Sequence, residues 1–133
     1  MRLLLDTHYV FGLSGTPGAL SNRELRFLDT YSERFVVSAV SIWEVRLKWH
    51  TLHRSGARKG PASASQVLQV LQSEAIADFL PLMPEHASTE LDAPLAHRDP
   101  FDELLLTQAQ VEGLNLLTRD RKLTSHALSV TVD

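Results

Sequence analysis

The sequence predicts an α/β fold in which a central parallel sheet of about five strands is flanked by helices. Three observations predict it. Short apolar runs of strand length alternate with helical patterns from one end of the chain to the other. Parallel neighbours need crossover connections, and those crossovers are usually helices. Finally, 133 residues with 44% hydrophobic and 22% charged side chains suit one packed domain over residues 1–133 and leave no room for a second core.

The elements follow in order. Arg2 to Leu5 reads as the first strand and ends at Asp6. A helix is expected over 21–30, opened by a capping box in which Ser21 and Glu24 satisfy each other's backbone donors. Phe35-Val36-Val37-Ser38 is the second strand, and Ser38 then serves as N-cap of a helix over 39–49. His50 to Pro61, with Ser55, Gly56, Gly60 and Pro61, reads as a flexible loop. A helix over 63–76 carries Val67, Leu68, Val70 and Leu71, and a weaker strand is expected over Phe79 to Leu82. Pro100 suits the first turn of a helix over 101–112, with Phe101, Leu104, Leu105 and Gln108 on it. Leu114 to Thr118 is a third strong strand, and Leu128 to Val132 a second weak one. The chain holds no internal repeat.

Several classes are excluded. Without cysteine there is no disulfide scaffold, no thiol nucleophile and no Cys-ligated zinc or iron–sulfur site. His8, His50, His53, His86, His97 and His126 do not have zinc-ligand spacing. No apolar run approaches the roughly 18 residues of a membrane span, and Met1 to Leu5 meets Asp6 too soon for a signal-peptide core, so a cytoplasmic protein that does not engage membranes is expected. The net charge of −3 alone argues against coating nucleic acid by bulk positive charge. The charge is partitioned, however. Residues 45–73 carry Arg46, Lys48, Arg54, Arg58 and Lys59 and no acid, so this stretch is basic and the remainder strongly acidic. Such a loop is suited to holding RNA phosphates, although a merely solvated loop is the plainer reading. Trp49 beside it could stack a base or pack in the core or a dimer contact.

In an open parallel sheet, ligands bind outside the carboxyl ends of the strands. Asp6 directly follows the first strand, Asp120 lies two residues beyond Thr118, Glu44 lies on the helix after the second strand, and Asp102 falls near the start of its helix. Each has a structural alternative. Asp6 and Asp120 could cap the turns that follow them, Ser41 and Glu44 spell a capping box, and Asp99 and Asp102 could answer a helix dipole. With Ser38 as N-cap, Glu44 sits at the sixth helical position, too deep to bond the cap, and lies beside the Ile42, Val45 and Trp49 stripe. Clustered carboxylates repel and hold protons unless a cation neutralises them. A hard divalent ion such as Mg²⁺ or Mn²⁺ suits an oxygen-only site and can activate water for attack on a phosphodiester.

LLLDTH, VSAVSIWEVRLK, HRDPFDELLLTQA and LLTRD, in this order and over nearly the whole chain, resemble the PIN-domain ribonucleases, specifically the VapC toxins of type II toxin–antitoxin systems. The resemblance implies a PIN fold, with Asp6, Glu44, Asp102 and Asp120 gathered around one or two Mg²⁺ ions, and endonucleolytic cleavage of RNA. It further implies that Asp6 and Asp102 ligate metal directly and that Glu44 and Asp120 complete the acidic pocket. Thr7 and Thr118 match positions that orient the acids or the attacking water, and Asp99 an outer position. The partners it implies are an RNA substrate, a small cognate antitoxin and a second copy of the chain in a homodimer. The sequence departs from the pattern at Glu103, where arginine is more usual, in the reduced run Tyr9-Val10-Phe11-Gly12-Leu13, and in WHTLHRSGARKGPAS, which replaces a compact turn. A catalytically silent PIN module that binds RNA or a protein is the alternative. A phosphoacceptor receiver domain is disfavoured, because the third strand candidate ends Leu82-Met83-Pro84 without an acceptor acid.

Overall fold

The computed structural model describes residues 1–132 and pairs five strands in one wholly parallel sheet. Along the chain run β1 (Leu3–Leu5), α1 (Thr7–Leu13), α2 (Asn22–Thr30), β2 (Phe35–Ser38), α3 (Ala39–His50), α4 (Ala64–Glu74), β3 (Ala77–Leu80), α5 (Pro84–Ser88), α6 (Pro100–Glu112), β4 (Asn115–Leu117) and β5 (Ser129–Val130). The sheet order is β3-β2-β1-β4-β5. The chain therefore builds outward from β1 to one edge, then crosses back through α6 to start the other side. The order reverses between β1 and β4, where an open α/β sheet leaves a crevice at its carboxyl edge.

Both faces of the sheet are covered, which is why β1 and the Phe35–Val37 run of β2 are continuously apolar and do not alternate. Leu3, Leu5, Val37 and Leu117 point to one side and pack with Tyr9, Val45, Val67 and Leu71. Leu4, Val36 and Leu116 point to the other and pack with Val40, Leu105, Leu106, Ala109 and Leu123. The register sets Leu5 beside Leu117, and the Asp6 N–H donates to the Leu117 carbonyl at 3.0 Å. The residues leaving β1 and β4 thus emerge side by side.

The strong strands and the helices α2, α3, α4 and α6 lie where the patterns put them, with Ser21, Ser38 and Ser63 as N-caps. The third strand starts two residues earlier than expected, at Ala77 and not Phe79. Pairing with β2 fixes it from Phe35↔Ala77 to Ser38↔Leu80, and Pro81, lacking an N–H, ends the ladder. The expected strand over Leu128 to Val132 contracts to Ser129–Val130. Two helices had no sequence pattern. In α1, Tyr9 to Gly12 are all buried, so no polar face marks a helical period. Gly12 lets the Leu20 side chain pack directly on α1, since a Cβ there would fall 2.0 Å from it unless Leu20 moved. The single turn α5 opens with a proline and is tied to α6 by buried His86, whose Nδ1 accepts the Met83 N–H at 2.9 Å while Nε2 meets Glu112 at 2.9 Å. The loop after α3 is held by a bridge between Leu52 and Arg58 and by Gly60, which lies against the Lys48–Trp49 backbone where a Cβ would collide. Among the described residues no helix is long and apolar enough to cross a membrane.

Candidate active site

Asp6 ends β1 and caps α1, so its carboxylate is aimed by backbone geometry. Its Oδ1 accepts the Thr7 N–H at 2.8 Å, and its Oδ2 accepts the Thr118 hydroxyl at 2.6 Å across the β1–β4 boundary. Thr118 in turn accepts the Asp120 N–H at 3.1 Å, and Asp120 spends Oδ1 on the Lys122 N–H at 3.0 Å, capping the next turn. The Thr7 hydroxyl donates to Glu44 Oε1 at 2.5 Å, which joins α1 to α3, and Lys48 lies 3.2 Å from Glu44 Oε2 one turn on. Ser38 is the N-cap of α3, so Glu44 is not part of a capping box. The Ser38 hydroxyl is also bonded to Gln108 and pins α3 to α6. On α6, Asp99 caps the helix by accepting the Phe101 and Asp102 N–H groups at 2.9 and 3.3 Å. Asp102, at the third helical position, meets His97 Nε2 at 3.0 Å.

These side chains converge. Asp6, Glu44, Asp99, Asp102 and Asp120 line one cleft of about 280 Å³, with Thr7, His8 and Arg119 completing its wall. Thr118 lies beneath it, wholly buried against Asp6. Asp6 and Asp102 are only 8% and 7% exposed. Burial pushes the Asp6 carboxyl above its usual range, the Thr118 and Thr7 hydrogen bonds oppose that, and the charges of Glu44 and Asp120 add to it. Burial also lifts Asp102 to about 6, against the pull of His97 and with the repulsion of Asp99, Asp6 and Asp120 behind it. Two buried carboxylates that resist ionisation in the company of three others lack counter-charge.

That deficit fits a divalent cation with oxygen ligands. No three of the described His, Asp and Glu side chains are drawn together tightly enough to form a coordination site on their own. A Mg²⁺ ion, which usually keeps several waters and takes one or two carboxylates, does not need such a cage. Asp6 and Asp102, the two buried acids of the cleft, are the residues that could hold it.

The basic stretch meets the cleft only at Lys48, through Glu44. Arg58 covers the Trp49 ring at 4.4 Å and donates to the Trp49 carbonyl at 2.7 Å, so that face of the ring is already taken. Arg46, Arg54 and Lys59 are exposed along the outer part of α3 and the following loop and do not line the cleft. Three residues at the site were not singled out from the sequence although they lie in the quoted segments: His8 in LLLDTH and Arg119 in LLTRD line the cleft, and His97 in HRDPFD meets Asp102.

The PIN-domain family model matches residues 3–127. Among solved structures, the chain is similar to one in VapBC2 from Rickettsia felis bound to a DNA fragment from its promoter, with TM-score 0.67 and 13% identity over 100% of both chains. It is similar to one in a toxin–antitoxin complex from Klebsiella pneumoniae, with TM-score 0.64 and 16% identity over 98% of both. It is also similar to one in DNA-bound VapBC from Salmonella typhimurium, with TM-score 0.61 and 14% identity over 100% of this chain and 99% of that one. At such identities the likeness is one of fold. No curated protein matches the chain in sequence.

Proposed function

The chain belongs to the PIN-domain family, and from that premise we propose that it is a metal-dependent endoribonuclease, the toxin of a type II toxin–antitoxin pair. The observation that carries this reading is the cleft at the β1–β4 switch point, where five carboxylates meet and two of them are buried and short of counter-charge. Asp6 and Asp102 would hold Mg²⁺, for which Mn²⁺ could substitute, and Glu44 and Asp120 would complete the acidic wall. When bound, the ion supplies Lewis acidity toward the scissile phosphate and lowers the pKa of the attacking water.

The protein's own work is orientation. Thr118 and the Thr7 N–H hold the two oxygens of Asp6, and the Thr7 hydroxyl holds Glu44, so three elements are locked around one point. Asp99 fixes the first turn of α6 and with it Asp102. Lys48, and further out Arg46, Arg54, Arg58 and Lys59, offer positive charge to the phosphates of an RNA strand leaving the cleft. The similar solved chains come from toxin–antitoxin complexes, which supports a cognate antitoxin as partner, and a homodimer is the form in which we expect the toxin to meet it.

Purified protein should cut single-stranded RNA with Mg²⁺ or Mn²⁺ present and stop when EDTA is added. Folded wild-type protein that leaves RNA intact in both metals would contradict the nuclease reading and favour a silent module.

A further inference from the structure

Among the described residues, Arg119 is the one Lys or Arg on a cleft wall that carries five carboxylates. It pairs with none of them. Its Nη1 donates instead to Glu24 Oε1 at 2.8 Å, an acid 95 residues away on α2 that does not line the cleft. Glu24 is itself held from several sides. It is only 7% exposed, Oε1 also accepts the Ser21 N–H at 2.9 Å, and Oε2 accepts the Tyr9 hydroxyl at 2.6 Å. Burial works against its charge, but the Tyr9 hydroxyl, the Ser21 groups and the Arg119 guanidinium more than offset it and keep the carboxyl below its usual range.

The bond to Glu24 engages the guanidinium with an acid outside the cleft, and it forms no ion pair with the five carboxylates of the wall it shares. Anchored by one of its five donors, Arg119 keeps the others for a ligand, and its side chain is 47% exposed. A fixed cation at the rim of an anionic, metal-seeking cleft complements a phosphate oxygen that does not itself bind the metal.

We propose that Arg119 binds an RNA backbone phosphate next to the scissile one, and that Glu24 is the residue that positions it. The inference rests on the nuclease reading above, and the test separates the two. Arg119→Gln, Arg119→Lys and Glu24→Gln are compared with wild type. Glutamine still serves at the third position of a capping box, so Glu24→Gln removes the charge and spares that motif. Binding of a labelled single-stranded RNA is followed by fluorescence anisotropy with Ca²⁺ in place of Mg²⁺, and cleavage by steady-state kinetics with Mg²⁺.

Arg119→Gln should raise both the RNA Kd and KM about tenfold, as expected for loss of one charge-assisted contact, with kcat little changed. It should also lower the slope of log affinity against log salt by about one. Arg119→Lys should recover part of the loss. Glu24→Gln should raise KM in the same direction and add nothing in the Arg119→Gln background. Unchanged Kd and KM in Arg119→Gln overturn the proposal, as does a Glu24→Gln effect that persists without Arg119. If wild type binds RNA through Arg119 but does not cut it, the nuclease reading falls and the phosphate contact stands.

Discussion

At the amino end of the sheet, Arg2 and Arg34 precede β1 and β2 and both reach Asp78 on β3, with Arg34 Nε 3.0 Å from the carboxylate. Arg34 also donates to the Ala75 and Ala77 carbonyls. At the carboxyl end, Asp6, Glu44, Asp99, Asp102 and Asp120 face one cleft, and the nearest cations are drawn to its edges, Lys48 on Glu44 and Arg119 on Glu24. The first cluster is exposed and satisfied by the chain itself. In the second, Asp6 and Asp102 are buried and the acids outnumber the cations beside them. Paired surface charges contribute little to stability and ask nothing of a ligand, whereas buried like charges cost stability and mark the place where one is needed.

Breaking the carboxyl end should have the largest effect. Asp6→Asn is expected to slow RNA cleavage at least about a hundredfold, the several kcal/mol that a bound metal supplies, while Arg34→Gln at the other end leaves the rate unchanged in the same assay. The next effect is on stability and has the opposite sign from the usual core substitution. With its carboxyl raised to about 6, ionised Asp102 disfavours the fold at neutral pH. Asp102→Asn should therefore raise the melting temperature of the metal-free protein by about 3–6 °C in a thermal scan. In saturating Mn²⁺ the order should invert, because only wild type gains binding energy. The smallest effect belongs to the amino end, where Asp78→Asn should cost at most about 1 kcal/mol in urea unfolding, a difference that high salt removes.

Much of the fold and of the carboxyl-end site was legible in the sequence, and the physical reason is locality. Ser21 with Glu24, Ser38 before Ala39, and Asp99-Pro100 fix helix starts through bonds spanning only a few residues. With the strands located, the carboxyl-edge rule brings Asp6, Glu44, Asp102 and Asp120 together without coordinates. What stayed hidden depends on tertiary contact. The run Tyr9 to Gly12 is buried on every side and so shows no period, and β3 takes its start from the β2 register. Glu24 read only as half of a capping box, because its second role, holding Arg119, spans 95 residues. The basic loop was visible as a charge run, but its placement was not: it meets the cleft only at Lys48, and Arg58 lies over Trp49.

Mn²⁺ titration by calorimetry, at neutral pH and without RNA, tests most directly whether the carboxyl-end cleft is built for a divalent cation. Wild type should show saturable binding, and Asp6→Asn and Asp102→Asn should each weaken it at least about tenfold while remaining folded. Absence of saturable binding by wild type, or undiminished binding by both variants, would contradict the account.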